Sequence, residues 1–128
     1  MEKYTSFAVE KTMELLAIDS PTGFTDGAVR YVKEEFEALG LYFSFGGPST
    51  FKNAKKVQDC VRCLPSNRIL SETDCPYLTP VPFRGVFPNE PKNVKYIVEN
   101  MAILRNQNEQ ELKDQILANA RRLFFRLK

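Results

Sequence analysis

Apolar residues recur at helical spacing at both ends of this chain and crowd into short runs in its middle. Tyr4, Phe7, Ala8, Leu15 and Ile18 fall near one face of a helix over residues 3–17. The run Asp19-Ser20-Pro21-Thr22-Gly23 breaks that helix. A second helix is expected from about Asp26, with Thr25 or Asp26 as its cap. Its stripe is Val29, Val32, Phe36 and Leu39, and Gly40 is its stop. Leu41–Phe45 is short, aromatic and bounded by glycines, as a strand buried on both faces would be. A third helix is predicted over 51–64, with Ala54, Val57, Val61 and Leu64 inward and Pro65 ending it. Arg68–Glu72 is the second strand candidate. Strand, helix and strand in that order predict a βαβ unit with parallel strands.

A proline-rich loop follows over residues 73–91. Long loops after a parallel strand more often serve function than fill space. Pro91 opens a fourth helix with Val94, Ile97, Val98, Met101 and Leu104 inward. Asn108-x-x-Glu111 opens a fifth helix carrying Leu112 and Ile116, and Leu123, Phe124, Phe125 and Leu127 close the chain. Two parallel strands make only part of a sheet, because such a sheet needs both faces covered and its edges paired. Self-association, or pairing with another chain, is therefore expected to cover the open edges.

Composition narrows the function classes. With 128 residues, 43% apolar and 27% charged, the chain is of ordinary single-domain size and make-up. A net charge of +2 does not by itself argue for nucleic acid or an anionic membrane. No run approaches a membrane span, and acidic Glu2, Glu10 and Glu14 interrupt any secretory signal, so the cytoplasm is the expected compartment. Cys60, Cys63 and Cys75 are an odd number, as expected of reduced thiols. The lone Cys60-x-x-Cys63 has no second pair and no histidine to complete a zinc site, so it reads as plain helix cysteines.

Lys52, Lys55 and Lys56 beside Phe51 form either a nucleic-acid contact or, in preference, the solvated face of the third helix. Ser20 has no histidine base and fits turn chemistry.

Two resemblances then enter. Phe43-Ser44-Phe45-Gly46-Gly47-Pro48-Ser49-Thr50-Phe51-Lys52-Asn53-Ala54 resembles the seventh strand and following turn of the TatD family of metal-dependent hydrolases. Ile69-Leu70-Ser71-Glu72-Thr73-Asp74-Cys75-Pro76-Tyr77-Leu78-Thr79-Pro80 resembles that family's eighth strand and signature. The likeness continues through Arg84-Gly85 and Asn89-Glu90-Pro91, and ends with Asn119-Ala120-Arg121-Arg122-Leu123-Phe124. It covers residues 41–128. It implies an α/β chain holding the last two parallel strands, with their helices, of a (β/α)8 TIM barrel. It also implies a deoxyribonuclease-type activity on DNA with one or two divalent metal ions. Asp74 aligns with the family's strand-eight metal ligand and catalytic aspartate, and Arg84 falls where substrate phosphate is expected. Each has a plain alternative, a strand-end cap for Asp74 and a solvated arginine for Arg84.

Residues 1–40 differ. Tyr4-x-x-Phe7, followed by Glu14-Leu15-Leu16-Ala17-Ile18-Asp19-Ser20-Pro21-Thr22-Gly23, resembles the N-terminus of cocatalytic zinc aminopeptidases. Together the two likenesses imply a hybrid chain with a boundary at Leu39-Gly40.

The family draws metal ligands from several histidines, and this sequence has none. Asp74 is then a single residual ligand, and the chain by itself is expected to be inactive. The alternatives are a non-catalytic interaction or oligomerisation module from a gene fusion or deletion, and, more weakly, an aminopeptidase remnant.

Overall fold

The structure is a computed structural model that describes residues 2–18 and 26–125. The turn expected at Asp19–Gly23, the Thr25 cap, Ser20, Leu127 and the Val29 side chain lie outside what is described. The chain divides into two compact units, Met1–Leu41 and Tyr42–Lys128.

The first unit pairs α1 (Glu2–Leu16) with α2 (Asp26–Ala38). Both helices fall where the periodicity predicts. The α1 stripe is only half-covered, for Leu15 and Ile18 are partly buried whereas Tyr4 and Phe7 are exposed. A polar link ties the pair. Lys11 donates to Glu14 at 3.0 Å and to Glu35 at 3.1 Å, and the Tyr31 hydroxyl also donates to Glu14. The Tyr31 bond holds the Glu14 carboxyl below the usual range, with Lys11 adding to the effect.

The second unit is the βαβ arrangement expected. β1 (Phe43–Phe45) pairs in parallel with β2 (Ile69–Ser71), in the register Phe43↔Ile69, Ser44↔Leu70 and Phe45↔Ser71. Both strands are shorter than predicted. Leu41 is exposed, and so is Ser44, so β1 is not buried on both faces. Between them, α3 (Lys55–Cys63) begins later than the predicted 51, because a 3₁₀ turn at Gly47–Thr50 is followed by a further turn in which the Ala54 amide donates to the Phe51 carbonyl at 3.0 Å. Val61 and Leu64 are buried, but Val57 is 37% exposed and does not belong to the core as expected. Beyond β2, α4 (Val94–Arg105) and α5 (Glu109–Leu123) complete the layer.

The core joins Phe45, Val61, Leu64, Ile69, Ile97, Val98, Met101, Ala102, Leu112 and Ile116, with Phe43, Val94 and Leu104 packed on it. Burying a side chain of this size contributes about 1.5–3 kcal/mol. Polar groups then fix the register. Asn108 caps α5 by accepting from the Gln110 and Glu111 amides at 2.9 and 3.2 Å. The fully buried Asn119 donates to the Ser66 and Ile69 carbonyls, both at 2.8 Å, and accepts from Gln115. The Arg105 guanidinium donates to the Val61 and Leu64 carbonyls and to Ser66 Oγ, joining the end of α3 to α4.

Replacing Asn119 by leucine removes the donor from two carbonyls at once, and an unsatisfied buried group costs about 1–3 kcal/mol. Loss of the Asn108 cap costs about 1 kcal/mol. Urea unfolding should therefore show Asn119→Leu to be clearly more destabilising than Asn108→Ala. An equal or smaller loss would mean that the carboxamide does not hold β2.

Candidate functional site

The C-terminal ends of two parallel strands are where a sheet of this kind exposes backbone and loops to a ligand. Here those ends are Phe45 followed by Gly46-Gly47, and Ser71 followed by Glu72-Thr73-Asp74. The two loops lie in close contact, and the glycines allow it. A Cβ added at Gly46 would stand 2.7 Å from Asp74 Oδ2. One added at Gly47 would stand 1.9 Å from the Leu78 carbonyl oxygen. The β2 loop thus crosses the β1 turn at a distance no side chain tolerates, and the Asp74 carboxylate lies beside Gly46 while its residue stays exposed.

The proline-rich loop is held by its own hydrogen bonds. The Tyr77 amide donates to the Asp74 carbonyl at 2.7 Å, and the Asn89 amide donates to the Pro76 carbonyl at 2.8 Å. Thr79 Oγ1 donates to the Val86 carbonyl at 2.6 Å, and Asn89 Nδ2 to the Tyr77 carbonyl at 2.7 Å. Asn93 Nδ2 donates to Asn89 Oδ1, linking the loop to the start of α4. Thr50 Oγ1 accepts from the Val81 amide at 2.9 Å and so joins the loop to the β1 turn. Thr79, Pro80, Asn89 and Asn93 are buried beneath it. Asn89 was legible only as part of the Asn-Glu-Pro block, and nothing in the spacing marked Thr50 or Thr79 as loop anchors.

Arg84 stands with its guanidinium 4.2 Å from the centre of the Phe51 ring, a cation–π distance. Together with Tyr77, Leu78, Phe87 and neighbouring loop residues the pair lines a shallow cavity of about 340 Å³. The Tyr77 and Phe87 rings lie 6.0 Å apart there, and both are exposed. Tyr77 was legible only as part of the Glu-Thr-Asp-Cys-Pro-Tyr-Leu block, and Phe87 was not singled out. Asp74 does not line this cavity, so the two predicted site residues share a loop but not a pocket.

The remaining candidates fall as plain surface groups. Lys52, Lys55 and Lys56 are exposed. Cys60 and Cys63 are exposed free thiols and Cys75 is half-buried. Burial pushes the Cys60 thiol up, and the neighbouring Cys63 and Asp59 push the same way, which is opposite to the activation a redox thiol needs.

A catalytic ion is usually held by about three protein ligands. Among the described residues no group of three or more His, Cys, Asp or Glu side chains is placed to hold one, and the sequence contains no histidine. One exposed carboxylate does not fit that requirement. Among the described residues, no helix is long and apolar enough to cross a membrane.

Comparison with known proteins places this geometry. The family model described as TatD related DNase matches residues 22–125. The match takes in residues 22–40, which the aminopeptidase likeness also covers. An uncharacterised metal-dependent hydrolase of Bacillus subtilis, YabD, is 50% identical over 93 residues, 73% of this chain and 36% of that protein. Another uncharacterised metal-dependent hydrolase, YcfH from Escherichia coli K12, is 45% identical over 86 residues, 67% of this chain and 32% of that protein. Among solved structures, YjjV, a TatD homolog from E. coli K12, superposes with a TM-score of 0.62 at 31% identity. It covers 69% of this chain and 34% of its own. A TatD-family hydrolase from Entamoeba histolytica, at 18% identity and a TM-score of 0.57, shares the fold. The chain therefore spans about a third of the length of these relatives.

The two glycines give a direct test. Gly47→Ala must displace backbone, and overpacking of that kind costs about 1–3 kcal/mol. Gly46→Ala meets only a carboxylate that can rotate. Gly47→Ala should lower the melting temperature and speed amide exchange across residues 73–89, whereas Gly46→Ala should do neither to a comparable degree. The reverse order would show that the loop does not cross the turn as described.

Proposed function

The chain belongs to the TatD-related DNase family, and from that membership we propose that residues 42–125 supply the last two strand ends of a barrel that hydrolyses phosphodiester bonds in DNA. Asp74 would be the carboxylate on the metal side of that site. The observation that carries this reading is its position: an exposed carboxylate just past the C-terminal end of β2, beside a glycine that leaves it room. Barrels of this class do their chemistry at that end of the strands. A divalent ion would supply a polarised water there.

Arg84 would meet substrate phosphate. Stacking on Phe51 steadies the guanidinium, and Arg84 stays exposed to solvent. Tyr77 and Phe87 add exposed rings of the kind on which unpaired bases stack.

By itself the chain should not turn over. The donor set around Asp74 falls short of a catalytic ion, and no histidine exists to complete it. A non-catalytic interaction module is the second reading, favoured by an apolar trench of about 620 Å³ lined by Ser44, Leu70, Val98 and Leu117 among others.

Cleavage of labelled single-stranded DNA by the purified chain, with Mg²⁺ or Mn²⁺, tests the first reading. The expected rate equals that of Asp74→Ala. Metal-stimulated cleavage that Asp74→Ala abolishes would contradict the expected inactivity and locate a working centre at this carboxylate.

A further inference from the structure

The last turn of α3 carries two thiols that neither the core nor the strand-end site employs. Cys60 and Cys63 are both free and exposed, and α3 ends at Cys63. Residues three apart on a helix share a face, with their Cβ atoms about 5–6 Å apart. Helical side chains lean back over the preceding turn, and Cys63 does so here. Its thiol donates to the Cys60 carbonyl at 3.7 Å. In the same turn Val61 and Leu64 are buried in the core, so the backbone that carries the two sulfurs is held in place.

The charges around the pair suit a cation. Burial pushes the Cys60 thiol up, and the charges of Cys63 and Asp59 push it the same way. A proton relieves the repulsion between two thiolates, and a bound metal ion relieves it equally. A helix C-terminus is otherwise a poor place for negative charge. Arg105 of α4 offsets this, donating to the Val61 and Leu64 carbonyls at 2.6 and 2.9 Å. Burial lowers the Arg105 pKa while charge on Cys63 opposes that shift, as expected of a cation beside the sulfur.

We propose that Cys60 and Cys63 bind one cuprous ion as a pair of thiolates. The number and kind of donors select the ion. Among the described residues no third His, Cys, Asp or Glu joins the pair to make a larger donor group. Zinc in a structural site takes four ligands, and hard ions such as Mg²⁺ take oxygen. A cuprous ion is soft, prefers thiolate sulfur and is satisfied by two donors. As each copper–sulfur bond forms, an S–H bond breaks and its proton passes to solvent. Binding therefore releases two protons and moves no electron. The bound unit keeps one net negative charge, which the Arg105 guanidinium balances. The proposal stands apart from the hydrolase reading, since neither Asp74 nor the strand ends take part.

Competition for Cu⁺ between the full chain and bicinchoninate under argon tests it, with native mass spectrometry to count ions per chain. The wild-type chain should hold one ion per monomer. Cys60→Ser and Cys63→Ser should each weaken binding by more than about a hundredfold, since loss of an outer-shell partner alone costs about 10–100-fold. Cys75→Ser should bind as the wild type does. Cys63→Ser combined with Arg62→Cys keeps two thiols in the turn, but residues two apart on a helix do not face each other. That double variant should bind no better than Cys63→Ser. Cys60, Arg62 and Cys63 are exposed, and dispersed amide resonances confirm that each variant is folded. A wild-type chain that yields all its copper to the competitor, or shares one ion between two chains, would overturn the proposal. So would a folded Cys60→Ser or Cys63→Ser, or the double variant, that binds as the wild type does.

Discussion

One buried carboxamide joins the last helix to the sheet, and the second unit is organised around it. A parallel strand pair leaves backbone groups without ladder partners where each strand begins and along each outer edge. Asn119 meets two of these, the Ser66 and Ile69 carbonyls, from the middle of α5. Arg105 does the same for the end of α3, taking the Val61 and Leu64 carbonyls. Two side chains thus do what additional strands and caps do in a larger sheet. Both lie on helices whose apolar faces are already fixed by Met101, Leu112 and Ile116, so packing and hydrogen bonding enforce the same register.

That register sets where the loops emerge. With β1 and β2 level, Gly46-Gly47 and the Asp74–Leu78 turn meet directly, and the absence of two side chains lets them interleave. The loop after β2 is long and rich in proline, yet it is tied internally by Thr79 and Asn89 and externally by Thr50 and Asn93. A rigid loop of this kind can hold Arg84 over Phe51 and keep exposed aromatic rings in place. It also carries Asp74 at the edge of the strand end, open to solvent, with no group of three or more donors gathered there among the described residues.

Much of this was legible in the sequence where periodicity or local chemistry carries the signal. The helices, the parallel strand pair and the Asn108 cap follow from spacing and capping preferences. What spacing does not encode is which side chain reaches a distant backbone group. Asn119 reads as one polar residue on an amphipathic helix, and its partners lie about fifty positions earlier. Val57 sits at helical spacing from Val61, but it falls in the first turn of α3 and is left 37% exposed, which spacing alone does not show. Ser44 breaks the apolar run of β1, a sign that one face of that strand is open. Arg84 and Phe51 meet only because the loops cross, which the glycines permit but do not announce.

This chain therefore pairs two parallel strands and a tied loop of TatD-family fold with no group of three or more donors placed to hold an ion among the described residues. The first helical unit adds ion pairs and an aromatic hydroxyl bond of its own, none of them a ligand set. The most direct test of this account is a calorimetric titration of the 128-residue chain with Mn²⁺ and Zn²⁺, compared with Asp74→Ala. The account predicts no saturable binding in the micromolar range that depends on Asp74. Stoichiometric micromolar binding that vanishes in Asp74→Ala would contradict it.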